Sequence, residues 1–205
     1  MAASSQRRQS AGGSQSGLNF TAAMRGVCED MVGRLPDLAH IDVSRIAVSF
    51  SQTRKPVTHG MQASLTPMRF ENGALLEERS GRKYSVQRLY DSQGRELLYI
   101  LTFYLPRYLN LPLGEKLSTI VHELWHIGPN FNGDLRRHDG RCYAHGPSQK
   151  AYDAHADRLA RQWLASGPPP ELYQFLGDNF RQLLRRHGTV YGTRIPAPKL
   201  LPLER

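Results

Sequence analysis

The chain has 205 residues, 40% of them hydrophobic, which is enough for one domain with a core of its own. Its formal charge of +9 points to an acidic partner such as nucleic acid, yet residues 1–127 hold 15 Lys plus Arg against 11 Asp plus Glu and residues 128–205 hold 12 against 7, so no basic stripe dominates. Cys28 and Cys142 are too few for a disulfide framework or a cysteine-built zinc site, and no apolar run of about 18 residues offers a transmembrane helix; the expectation is a reducing, cytoplasmic setting with no membrane partner.

Residues 1–17, rich in Ser, Gln and Gly with Arg7 and Arg8, lack the apolar centre of a signal peptide and read as a disordered tail. Phe20, Met24, Val27, Met31 and Leu35 recur at helical spacing and stop at Pro36, which predicts a first helix. Ile46, Val48 and Phe50 alternate with Arg45, Ala47 and Ser49, and Met61, Ala63 and Leu65 alternate similarly; both patterns predict half-buried strands. Tyr84 to Leu89, a turn at Asp91-Ser92-Gln93-Gly94, and the nearly continuous apolar run Leu97 to Leu105 predict a hairpin.

Leu117, Ile120, Val121, Leu124 and Ile127 then define an amphipathic helix entered after Pro112 and stopped at Gly128-Pro129. Its last turns contain His122-Glu123-Leu124-Trp125-His126. Histidines four residues apart lie on one helical face and can share a metal, while the glutamate one position on can reach a water without being a ligand. The short Pro-containing link to this helix places the Leu97–Leu105 strand beside the motif, where its sheet edge would align an extended peptide. A second amphipathic helix follows, with Tyr152, Ala156, Leu159, Ala160, Trp163 and Leu164 on one face. Gly167-Pro168-Pro169-Pro170 separates a last helix ending near His187, and residues 188–205 read as an irregular basic tail. The folded domain is therefore expected over 18–187, in an α+β arrangement.

Catalytic zinc needs a third protein ligand and an open position. The candidates downstream are His138, His145 and His155, with Asp134, Asp153 and Asp157 as carboxylate options. His145 stands at the mouth of the second helix, held firmly yet free to point outward, and is favoured; His138, in a polar loop, is the alternative as ligand or proton donor. His155 lies on the polar side of its helix near Arg158 and Gln162 and reads as solvated.

The motif His122-Glu123-Leu124-Trp125-His126 together with His145-Gly146-Pro147-Ser148-Gln149 resembles the SprT-like metallopeptidase pattern, in which the third histidine precedes glycine and opens a helix. A nearer likeness is to the small metallopeptidases of phage and prophage genomes, through Asn132-Gly133-Asp134-Leu135-Arg136-Arg137-His138 followed by Tyr143-Ala144-His145-Gly146. The likeness spans roughly positions 40 to 165. It implies a zincin-like α+β domain with a small, mostly antiparallel sheet packed on the helix that carries the motif. It also implies one catalytic zinc held by His122, His126 and His145, with Glu123 as general base in peptide hydrolysis. Gln149 stands where SprT-like proteins tend to have an aromatic residue, and no C-terminal pair of C-x-x-C motifs is present; these departures weigh against the family's DNA-repair role more than against its metal chemistry. Tyr143, His138 and Arg141 are available as oxyanion donors. Two other readings share the metal site: a DNA-associated SprT-like protease, and a non-catalytic regulatory module that keeps the metal for folding. Glu123 argues against the latter, because a purely structural site has no need of that carboxylate.

Overall fold

The computed structural model describes residues 17–53, 60–137 and 149–203. In chain order, the first half holds β1 (Leu18–Asn19), α1 (Phe20–Arg34), β2 (Ile46–Gln52), β3 (Ala63–Pro67), β4 (Leu76–Arg79) and β5 (Arg82–Val86). Then come β6 (Leu89–Tyr90), β7 (Glu96–Leu97), β8 (Tyr99–Leu105) and α2 (Leu113–Trp125). The last part holds α3 (Gln149–Ala165), α4 (Pro170–Tyr173), α5 (Phe180–His187), β9 (Val190–Tyr191) and β10 (Leu200–Pro202). The class is α+β, as composition and pattern predict.

Helix α1 forms where its apolar spacing places it. The Asn19 side chain caps it by accepting from the Ala22 amide at 3.1 Å, and Phe20, Met24, Val27, Cys28 and Met31 are all buried. It ends because Pro36 forces Leu35 into an extended conformation, with φ −103° and ψ 108°.

The sheet beside the motif departs from the expected hairpin. Strand β8 is central, parallel to β2 on one side and antiparallel to β3 on the other. A strand apolar on both faces is best buried between two partners, and Tyr99, Ile100, Leu101, Phe103 and Leu105 are all buried here. The Asp91 turn does close: its carboxylate accepts the Gln93 and Arg95 amides at 2.8 Å each. It joins only the two-residue strands β6 and β7, while Tyr84–Val86 belongs to a separate antiparallel sheet ordered β10-β5-β4. The sheet next to α2 is accordingly mixed rather than mostly antiparallel.

The edge facing the motif is β3, not the Leu97–Leu105 strand. Tyr104 N–H donates to Gln62 O at 2.8 Å and Met68 N–H to Leu98 O at 3.0 Å, so even-numbered residues of β3 bond to β8. The backbone groups of Ala63 and Leu65 therefore point away from the sheet. The opposite edge is covered. Residues expected as an irregular tail run back over β2: Phe50 N–H donates to Thr193 O at 3.1 Å and Ile195 N–H to Ser49 Oγ at 2.9 Å, β9 pairs with β1, and β10 pairs with β5. Covering one edge leaves the other as the place where an added strand can pair.

One continuous core joins α1, β2, β8, α2 and α3 on the α2 side of the sheet. Lys116 of α2 is an exception, 1% exposed, with Nζ donating to Leu176 O and Asp178 O at 2.7 Å each. Those two bonds to carbonyls in the segment leading into α5 offset the burial of the ammonium and anchor α2 to the C-terminal helices. Among the described residues no helix is long and apolar enough to cross a membrane.

Candidate metal centre

Helix α2 buries Leu117, Ile120, Val121 and Leu124 and turns Glu115, Ser118, Thr119 and His122 the other way. It ends at His126, still in helical conformation, whose N–H bonds Glu123 O at 3.2 Å. The chain then reverses, with Arg136 N–H on His126 O at 2.6 Å and Gly128 N–H on Asp134 O at 3.2 Å. Glycine at 128 suits this approach, because a Cβ there would come within 3.1 Å of the Asp134 carbonyl oxygen, tighter than ordinary contact.

His122 and His126 face each other with their Nε2 atoms 3.2 Å apart. Two nitrogens bound about 2.0–2.1 Å from one tetrahedral ion lie roughly 3.3 Å apart, so the spacing fits shared ligation. The other nitrogen of His122, Nδ1, is 3.1 Å from Asp153 Oδ1, and Gln149 Nε2 holds the same oxygen at 2.9 Å. A carboxylate on Nδ1 fixes the tautomer that leaves Nε2 as the ligating atom. Tyr152 is stacked on the His126 ring, centroids 5.0 Å apart, and meets the His122 ring edge-on at 4.8 Å. Sandwiched between α2 and α3, it sets the orientation of both imidazoles.

Glu123 projects about 100° around the helix from His122, toward β3, and is only 8% exposed. Burial pushes its carboxyl up to about 7, against the Leu65 amide, which hydrogen-bonds the ionised form and holds it down. The outward-pointing N–H of the edge strand is thus what positions the glutamate. A cleft of about 420 Å³ opens beside it, bounded by Met61, Gln62 and Ala63 near the β3 edge, by the polar face of α2, and by Asp153 and Asp157 of α3.

His122, Glu123 and His126 are brought together as the motif predicts. His145 and His138 lie outside the described residues, as do Tyr143, Arg141 and Cys142. Among the described residues no three His, Cys, Asp or Glu side chains converge to hold an ion. Asp134 is spent elsewhere. It is 6% exposed and accepts the Asn72 and Leu135 amides at 2.8 Å each and two Arg137 nitrogens at 3.1 Å, which makes it the hub of the loop after α2. His155 is half-buried on the Trp125 ring at 4.3 Å with Arg158 on Nδ1 at 2.6 Å, rather than freely solvated. Trp125 also lies 3.8 Å beneath the Arg136 guanidinium.

Sequence spacing did not expose the roles of Tyr152 and Asp153. Tyr152 reads as one more apolar position of α3, and nothing local separates Asp153 from Asp157 as the carboxylate that meets His122.

Compared with protein-family models, curated proteins and solved structures, the chain matches none. The resemblance to SprT-like and phage metallopeptidases accordingly rests on the two motifs.

Proposed function

We propose that this protein is a zinc-dependent metallopeptidase with a zincin-like arrangement, its ion held by His122, His126 and His145 and its general base Glu123. The observation that carries the reading is the pair of Nε2 atoms 3.2 Å apart at a cleft whose wall presents a buried glutamate. A divalent ion bound there supplies Lewis acidity, which makes a water nucleophilic near neutral pH and polarises a carbonyl.

The protein's own groups do the rest. Asp153 and Tyr152 hold the imidazoles in place before any ligand arrives, so little reorganisation is needed. Glu123, fixed by the Leu65 amide, takes the proton of the attacking water and delivers it to the departing amine, giving hydrolysis without a covalent enzyme intermediate. An extended polypeptide adds to the β3 edge, which has no strand partner among the described residues, through the outward N–H and C=O of Ala63, and this lays its backbone along the cleft. His145, four residues before α3 in the sequence, completes the ligand set in this reading, with His138 as the alternative.

The test is degradation of unfolded casein by the zinc-loaded full-length protein. Cleavage is expected to stop on chelation with 1,10-phenanthroline and to return on adding zinc; cleavage that continues in chelator would exclude the metal from the reaction.

A further inference from the structure

We propose that the cleft selects basic polypeptide segments, with Glu115 and Asp157 as its specificity-determining residues; this rests on the peptidase reading above. The cleft itself is defined by the histidine pair and Glu123, and the remaining side chains decide what it accepts. Its walls carry four carboxylates, Glu115, Glu123, Asp153 and Asp157, and no Lys or Arg among the described lining residues. That balance opposes the rest of the chain, where 27 Lys plus Arg outnumber 18 Asp plus Glu.

Two of the four are committed, Glu123 to the Leu65 amide and Asp153 to His122. Glu115 and Asp157 are exposed and form no ion pair among the described residues. They stand on facing walls. Glu115 lies two turns before His122 on the same face of α2, and Asp157 lies one turn after Asp153 on α3. A Lys or Arg side chain from a strand added at the β3 edge is long enough to bring its charge to these walls while its apolar stem lies along Leu111 and Met61. The same walls repel a phosphate backbone, so the net positive charge does not make this cleft a nucleic-acid groove. Carboxylates that have no ion pair among the described residues favour the opposite charge in a chain entering the cleft.

The experiment uses quenched-fluorescence peptides of one sequence carrying Lys, Gln or Glu beside the scissile bond, with wild type and the Glu115→Gln/Asp157→Asn double variant. Wild type is expected to favour the Lys peptide over the Glu peptide by roughly three- to tenfold in kcat/KM, and the double variant to lose most of that ratio. Equal rates for the three peptides, or a Lys preference unchanged in the double variant, would overturn the inference while leaving the peptidase reading intact. Anisotropy of the same peptides, labelled, on zinc-loaded Glu123→Gln protein separates the two claims. If wild type cleaves none of them, charge-ranked binding that the double substitution removes supports the selectivity and sinks the peptidase reading; binding without charge ranking overturns the selectivity too. Should the double variant fail to fold, wild type in about 1 M salt decides: the preference must shrink where the Debye length is about 3 Å, and an unchanged preference overturns the inference.

Discussion

Glu123→Gln is expected to lower kcat on a peptide substrate by about 10²–10⁴-fold with KM little changed and zinc retained. The split follows from where the side chain sits. The carboxamide oxygen of glutamine can still accept the Leu65 amide, so the contact between α2 and the edge strand survives and the fold is not challenged. What disappears is the group that accepts a proton from water. Because Glu123 points toward β3 while His122 and His126 point at each other, the ligand set is untouched. A module that keeps its metal only for folding would show no change in any activity on this substitution, and a glutamate acting as ligand would lose the ion with it. Steady-state kinetics beside zinc quantification distinguishes these three results.

Asp134→Ala is expected to destabilise the protein by about 2–4 kcal/mol, a fall in Tm of roughly 4–16 °C, and to weaken zinc retention. The carboxylate is buried and accepts two backbone amides, those of Asn72 and Leu135, in addition to the Arg137 guanidinium. Alanine removes the acceptor of both part-buried amide bonds and takes away the nearer carboxylate of Arg137. The effect should reach His122 and His126 because the loop it braces returns Arg136 N–H to His126 O and Asp134 O to Gly128 N–H. Tyr99 reinforces the same loop, its hydroxyl donating to Asp134 O at 2.9 Å while accepting the Gly133 amide at 3.0 Å. Thermal melts with and without zinc measure both consequences; a Tm within about 1 °C of wild type would show that the hub contributes nothing.

What could be read from the sequence was what depends on neighbours along the chain. Helix α1 follows its own apolar period to the residue before Pro36, and α2 carries the histidine pair because i and i+4 share a face wherever the helix packs. The Asp91 turn likewise closes through its own side chain. The pairing of β8 was not legible, because an apolar run of that length states that both faces are buried but not which strands do the burying. Predicting a hairpin from the turn gave weight to the nearest strand, whereas the longer ladders with β2 and β3 bury more of the apolar surface. The same limit hid the β3 edge that has no strand partner among the described residues, the return of residues 190–202 across the domain, and the capture of Asp134 by amides from two loops. Each depends on contacts between residues far apart in the chain, such as Asn72 with Asp134 or Ser49 with Ile195.

The candidate site divides in the same way. His122, Glu123 and His126 needed only helical geometry. Asp153 at 3.1 Å from His122 and Tyr152 against both rings needed the packing of α3 on α2, which no spacing rule supplies.

The most direct measurement is metal content by inductively coupled plasma mass spectrometry on zinc-loaded, desalted protein, comparing wild type with His122→Ala/His126→Ala, His145→Ala and His138→Ala. One equivalent of zinc is expected in wild type and in His138→Ala, and none in the double variant or in His145→Ala. Wild type that holds no zinc after loading, or a double variant that holds as much as wild type, would contradict it.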